Sequence, residues 1–172
     1  MMLVSFLMIY ILFFETFIKH LTLFPDIIVM SEQNNNNTSK VFLGGTCNGS
    51  KWRDELVKNL EIAYFNPVVE DWTPECQEEE IRQRTECDIL LYVITPKMSG
   101  VYSIAEVVDD SNKRPDSTIL CVLHEDDGTT FDKGHAKSLD MVCKMVEDNG
   151  SFVFLDLEDV ASYLNSFVKT VQ

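Results

Sequence analysis

The sequence predicts one α/β domain over residues 40–172, with a parallel β-sheet covered by helices on both faces. Short apolar runs alternate with segments whose apolar residues recur at helical spacing, and this alternation is typical of βαβ units. The run Ile89–Ile94 is apolar throughout, as expected of a central strand buried on both faces. The turn Gly44-Gly45-Thr46 follows the first apolar run, where a strand should end.

Each predicted element is bounded by turn residues or by a change of periodicity. The predicted strands cover residues 41–43, 62–65, 88–95, 118–123 and 152–155. The predicted helices cover residues 50–60, 74–86, 102–111, 136–147 and 157–171. Ser50 is a suitable cap for the first helix, and Pro74 suits the start of the second. We therefore expect a doubly wound, flavodoxin-like domain with strand order 2-1-3-4-5, whose ligand crevice lies between the first and third strands.

The charge of the chain narrows the range of partners. The 172 residues include 28 acidic residues against 14 lysines and arginines, for a net charge of −14. Such a surface repels phosphate backbones and anionic membranes, so we expect no nucleic acid polymer as a partner. A small ligand held in one crevice stays compatible with this charge.

The cysteines and histidines indicate neither a disulfide framework nor a metal centre. The five cysteines are scattered without a CxxC pair, and the three histidines lack an HExxH spacing. A reducing compartment is the simpler interpretation, so we expect a cytoplasmic protein that needs no metal or redox cofactor.

The N-terminal segment differs from the rest of the chain. Residues 1–14 are nearly all apolar, but this run is shorter than the roughly twenty residues that span a membrane. Three interpretations of residues 1–30 stay open: a short membrane anchor, an apolar helix folded on the domain, or translated sequence upstream of the true start. Residues 31–39 include four consecutive asparagines and predict a disordered linker. Membrane association would depend on residues 1–30 being a real anchor.

Glu106 is the most informative single residue. It lies one turn into a predicted helix, after the central strand and its loop. A carboxylate at this junction faces the crevice outside the strands' carboxyl ends, where it can attack or stabilise an electron-poor carbon. The alternative is that Glu106 only complements the positive end of the helix dipole.

Other candidates lie on the same predicted edge or on the helix that leads into the central strand. Two glycines in the Gly44-Gly45-Thr46 turn let backbone N–H groups approach a ligand, although the turn lacks a dinucleotide or Walker spacing. Glu80 lies in the helix that precedes the central strand. Its alternative role is as part of a solvated acidic face.

The remaining candidate residues each have a structural alternative. Arg53 is either an anion clamp or a surface residue, and Asp88 is expected to neutralise a helix end or nearby backbone more than to act on a ligand. Ser99-Gly100, in the loop before Glu106, is either a hydroxyl or backbone contact or an ordinary turn.

The order of these motifs carries a family resemblance. The motifs are VFLGG at residues 41–45, Trp52-Arg53, Asn66-Pro67, Glu80, CDILLY at residues 87–92, Ser99-Gly100 and Ala105-Glu106. This series resembles the nucleoside 2-deoxyribosyltransferase-like superfamily, which includes 2′-deoxynucleoside 5′-phosphate N-hydrolases. The resemblance covers residues 41–123 and implies a flavodoxin-like sheet, a nucleoside or nucleotide substrate, no cofactor and a homo-oligomer.

The resemblance also implies roles for single residues. Glu106 matches the nucleophile that attacks C1′ of the deoxyribose, and Glu80 matches a second acid that assists the base or the sugar hydroxyl. Cleavage would pass through a glycosyl-enzyme intermediate, resolved by water or by a second base. The residues assigned to substrate binding are Gly44, Gly45, Thr46, Arg53, Asp88, Ser99 and Gly100.

The chain departs from the family pattern in ways that keep other functions open. Val107 and Val108 follow the nucleophile position, where the family commonly has a glycine in a Glu-x-Gly pattern. Glu80 replaces the usual aspartate, and polar segments at residues 109–116 and 125–134 look like insertions. A catalytically inactive nucleotide-binding module and a TIR-like NAD glycohydrolase are the alternatives.

Overall fold

A computed structural model of the protein describes residues 39–71 and 73–167. Its strands are β1 (Lys40–Gly45), β2 (Ala63–Phe65), β3 (Ile89–Ile94), β4 (Thr118–Val122), β5 (Glu125–Asp126), β6 (Thr129–Thr130) and β7 (Phe152–Phe154). Its helices are α1 (Trp52–Val57), α2 (Pro74–Glu86), α3 (Tyr102–Lys113), α4 (Lys133–Asp148) and α5 (Leu157–Asn165). The predicted N-terminal segment 1–30 and linker 31–39 lie outside the described residues, except for Ser39.

The main sheet confirms the predicted fold class and strand order. Its five strands are arranged β2-β1-β3-β4-β7, and every neighbouring pair is parallel. Because β7 is the fifth strand of this sheet along the chain, the order is 2-1-3-4-5. The order reverses between β1 and β3, so the crevice of this fold lies beyond the carboxyl ends of these two strands.

Alternation of side chains along the strands divides the core into two layers. On one face, Val41 and Leu43 of β1 pack with Trp52 of α1 and Leu164 of α5. On the other face, Phe42 and Tyr92 share a cluster with residues of α3 and α4, among them Val107, Leu139 and Val146. All six residues of β3 are buried, as expected of a strand covered on both faces.

A small hairpin interrupts the connection from β4 to α4, where the sequence suggested only an insertion. Strands β5 and β6 pair antiparallel around the two-residue turn Asp127-Gly128. Both turn residues have positive φ angles, 53° for Asp127 and 77° for Gly128. An Asp-Gly pair is the preferred sequence for this kind of tight hairpin turn.

The described part of the chain contains neither a membrane-spanning helix nor a cluster of metal ligands. Within residues 39–71 and 73–167, no helix has the length and apolar composition needed to cross a membrane. Nor do these residues hold a group of His, Cys, Asp and Glu side chains able to hold a metal ion. All five cysteines are free, and Cys87 and Cys121 are buried in the domain.

Candidate active site

Thr46 joins the carboxyl ends of β1 and β3. Its backbone N–H donates to the Val93 carbonyl at 2.8 Å, and its hydroxyl Oγ1 accepts from the Thr95 N–H at 2.9 Å. The Thr46 side chain is buried. The β1–α1 and β3–α3 loops therefore meet at the edge that the strand order predicts for the crevice, and Thr46 is part of that junction.

Gly44 and Gly45 are required by the close packing of β1 against β3. A Cβ atom on Gly44 would lie 2.7 Å from Cδ1 of Tyr92. A Cβ atom on Gly45 would lie 2.1 Å from the Val93 carbonyl oxygen, and the Gly45 φ angle is +112°. A side chain at either position would displace β3 or the Tyr92 ring, so both glycines have a structural reason beside any contact with a ligand.

Arg53 points into the domain and holds the β1–α1 loop. Its guanidinium donates to the carbonyl of Leu43 at 2.9 and 3.0 Å and to that of Thr46 at 2.7 Å. Its plane also lies over the Trp52 ring. Burial lowers the pKa of Arg53, while neighbouring acidic groups including Glu80 oppose this change. The predicted anion clamp is thus bonded to backbone carbonyls instead of facing the crevice as a free cation.

Glu106 is a buried carboxylate on the face of α3 that meets α2. Only 7% of the residue is exposed, and its Oε1 accepts from Nη1 of Arg84 at 3.1 Å. Burial raises the pKa of Glu106 to about 7; Arg84 opposes the rise, and Glu80 and Asp110 add to it. A carboxyl group whose pKa lies near neutrality can act as a general acid or a general base at that pH, and its ionised form can act as a nucleophile.

Arg84, Asp110 and Tyr92 complete the surroundings of Glu106, and sequence reasoning missed all three. Arg84 Nε donates to Asp110 Oδ2 at 2.8 Å, and the Tyr92 hydroxyl donates to the same oxygen at 2.5 Å. Burial alone would lower the pKa of Arg84, but its bond to Asp110 and the nearby acids raise it above its usual value. The sequence spacing could have indicated two of them. Arg84 follows Glu80 by four residues and Asp110 follows Glu106 by four, and residues at this spacing share a helix face.

Glu80 lies on the same side of α2 as Arg84, within the field of two arginines. It is half-buried, and burial raises its pKa while Arg53 and Arg84 oppose the rise. Its interaction with Glu106 contributes to the raised pKa of that residue. Among the residues that the structure describes, no hydrogen bond or ion pair engages the Glu80 carboxylate, so a ligand could bond to it without breaking one of these contacts.

The remaining predicted positions divide between the two edges of the sheet. Ser99 and Gly100 are exposed at the crevice edge, where Ser99 Oγ accepts from Asn48 Nδ2 at 2.5 Å. Asp88 precedes β3, so it lies at the opposite, amino-terminal edge. There its carboxylate accepts from the backbone N–H of Lys40 at 2.8 Å. The structure does not bring Asp88 together with the other candidates, and its position explains why: it fastens the start of β1 to the start of β3.

A comparison with family models gives a match over the part of the chain that holds the candidate site. The model described as nucleoside 2-deoxyribosyltransferase like matches residues 38–125. The match spans β1 to β4 and includes both Glu80 and Glu106. No curated protein matches the chain. Since the family model covers half of the sequence and the whole of the candidate site, the chain belongs to the nucleoside 2-deoxyribosyltransferase-like family.

Proposed function

We propose that this protein cleaves or transfers the N-glycosidic bond of a nucleoside or nucleotide, with Glu106 as the nucleophile. The observation that supports the proposal most strongly is the environment of Glu106. Glu106 lies on the helix that follows the central strand and is buried beside Arg84 and a second acid, Glu80. Burial of a carboxylate in such surroundings costs folding free energy. Membership of the family supports the general class of substrate.

The chemistry would proceed in two steps. Glu106 attacks C1′ of the sugar, the bond between C1′ and the base nitrogen breaks, and the electron pair leaves with the base. A proton delivered to the base completes its departure, and Glu80 is the group we assign to donate it or to orient the sugar. Water or a second base then attacks C1′ and displaces Glu106, so that configuration is retained.

Arg84 suits the needs of such a nucleophile. Its bond to Oε1 fixes one oxygen of Glu106 and favours the ionised form, while burial keeps that form poorly solvated and therefore reactive. Asp110, which also accepts from the Tyr92 hydroxyl, holds Arg84 from the other side. Arg84 thus acts through Glu106 as a positioning residue in this proposal.

One observation favours a second candidate function, a nucleotide-binding module without catalysis. Val108 occupies the position at which the resemblance leads us to expect the glycine of Glu-x-Gly, and its side chain packs against the core layer between α3 and the sheet. In addition, the Glu106–Arg84 pair would persist as a structural ion pair without any reaction. Such a module would bind its ligand and release no base.

Measurement of base release distinguishes these functions. Wild type, Glu106→Gln and the exposed control Glu78→Gln would each be incubated with deoxynucleosides, their 5′-monophosphates, ribonucleosides and NAD, with and without an acceptor base. We expect wild type and Glu78→Gln to release base. Glu106→Gln should release base at least about a thousandfold more slowly. A folded wild-type protein that releases no base from any substrate would contradict the proposal, and ligand binding would then support the module.

A further inference from the structure

We propose that the crevice selects an uncharged nucleoside over its 5′-phosphate, because the hairpin β5–β6 places two carboxylates beside Lys97 at the crevice edge. This inference rests on the proposed function, since it names the substrate class of the same site. Two features support it: the acidic loops at the carboxyl edge of the sheet and the carboxylates that contact Lys97.

The loops at this edge are strongly acidic. The described loops that follow the strands of the main sheet contain two lysines, Lys51 and Lys97, and no arginine. They contain seven carboxylates, from Glu70, Asp71, Glu125, Asp126, Asp127, Asp132 and Asp156. A ligand that enters the crevice therefore passes an edge with a large excess of negative charge.

Lys97, in the loop before α3, is already neutralised. Its Nζ lies 3.3 Å from Asp126 Oδ1 and 3.3 Å from Asp127 Oδ2, and it donates to the Gly49 carbonyl at 3.4 Å. Only about a fifth of the Lys97 side chain and a tenth of the Asp126 side chain are exposed, at 19% and 10%. Lys97 is thus held by two carboxylates and one carbonyl.

The hydroxyl groups beside Lys97 also have partners. Ser50 Oγ donates to Asp126 Oδ2 at 2.5 Å, so Asp126 joins the β1–α1 loop to the β3–α3 loop. Asn48 Nδ2 donates both to Ser99 Oγ and to the Lys97 carbonyl, at 2.5 and 3.1 Å. A phosphate would have to displace these contacts, whereas a 5′-hydroxyl could add to them as a neutral donor and acceptor.

The size of the effect follows from the charge of the phosphate. A phosphate monoester carries close to two negative charges at neutral pH. Against several carboxylates at the mouth of the crevice, partly screened by solvent, we expect binding weaker by about tenfold at low salt. NAD carries a pyrophosphate and should be disfavoured for the same reason.

Binding and turnover would be measured separately, on the full chain. Calorimetry with Glu106→Gln would give the affinities of each deoxynucleoside and of its 5′-monophosphate, at 20 and 300 mM NaCl. We expect at least one deoxynucleoside to bind about tenfold tighter than its own monophosphate at low salt, with a smaller gap at high salt. The inference is overturned if monophosphates bind as tightly or more tightly, or if no ligand of either kind binds.

The double variant Asp126→Asn/Asp127→Asn, in the same Glu106→Gln background, tests the assignment to the hairpin. It should improve monophosphate binding by about tenfold, because Lys97 is released and two negative charges are removed. Asparagine also tolerates the positive φ angle of residue 127. The control Glu147→Gln/Asp148→Asn removes the same charge from the carboxyl-terminal end of α4 and should leave the preference unchanged. Equal effects in both variants would overturn the role of the hairpin.

Base release by wild type separates this inference from the proposed reaction. If nucleosides bind preferentially but no base is released, the selectivity stands and the proposed reaction is wrong. If base is released from monophosphates faster than from nucleosides, the reaction stands and the selectivity is wrong. If nucleosides are cleaved preferentially, both are supported.

Discussion

Glu106 shows how one residue can serve structure and chemistry with the same contacts. Its carboxylate is almost completely buried and is bonded by Arg84, which Asp110 holds from the other side. A surface acid that only complemented the helix dipole would need neither burial nor a buried partner. The environment of Glu106 therefore argues for a site at which an ionised carboxylate is kept away from water, and this has a consequence for stability.

We predict that Glu106 makes the stability of the protein fall as pH rises through neutrality. The pKa of this carboxyl rises from 4.5 to about 7 on folding, so the folded state binds more protons than the unfolded state between these values. The contribution of Glu106 to the free energy of unfolding is fully present below the pKa of this group in the unfolded state. It is lost, by up to roughly 3 kcal/mol, as pH rises through the pKa of the folded state. Glu106→Gln lacks this titration, so its stability relative to wild type should increase between pH 5 and pH 8.

Urea unfolding of both proteins at pH 5, 6, 7 and 8 would measure this difference. Comparison at each pH removes the contributions of titrating groups that do not interact with Glu106. The exposed substitution Glu78→Gln supplies the baseline, since it should follow wild type at every pH. A constant difference between Glu106→Gln and wild type across this range would contradict the raised pKa.

At the scale of elements, the β1–α1 loop depends on an arginine in the helix that follows it. Arg53 lies near the start of α1, and its guanidinium donates hydrogen bonds back to the carbonyls of Leu43 and Thr46. Trp52 Nε1 also donates to the Thr46 carbonyl, at 2.8 Å. Strand, loop and helix are thus joined by two consecutive side chains, which gives the Trp52-Arg53 pair a structural role.

We predict that Arg53→Met destabilises the domain by about 2–4 kcal/mol, because buried carbonyls lose a charged donor. Methionine keeps much of the stem that packs beside Trp52. Arg82→Met is the matched control: Arg82 is half exposed and bonded to Glu79 and Glu86, and such surface pairs contribute about 1 kcal/mol or less. Thermal or urea unfolding would compare the two variants. An equally small effect in both would show that the Arg53 bonds are replaced by other contacts.

The sequence predicted the elements whose periodicity or turn residues are strong, and it missed what depends on contacts between elements. The strand β3 and the strand order followed from an apolar run and from βαβ alternation. The hairpin β5–β6 was missed although Asp127-Gly128 is a strong turn signal, because its two-residue strands contain no apolar side chain that would produce a pattern. Arg84 was missed because its partners lie on another helix, and Asp88 was grouped with the site although strand direction places it at the opposite edge.

At the scale of the whole molecule, negative charge is in excess both at the crevice edge and over the chain. The net charge is −14 and the isoelectric point is about 4.5. The described ion pairs concentrate around Arg84, Arg82 and Lys97. Many other carboxylates face solvent with no such partner among the described residues, so mutual repulsion should outweigh attraction when the folded state is compared with an expanded one.

We therefore predict that added NaCl stabilises this protein at neutral pH. Screening of the repulsion should raise the free energy of unfolding by about 1 kcal/mol between 20 and 300 mM NaCl, measured from urea transitions at pH 7.5. The same series at pH 5, close to the isoelectric point, is the control, because little net charge is left there to screen. Loss of stability with salt at pH 7.5 would mean that the favourable pairs around Arg84 and Lys97 dominate the electrostatics of the fold. In that case the acidic edge of the crevice would also repel a phosphate less than its carboxylates suggest.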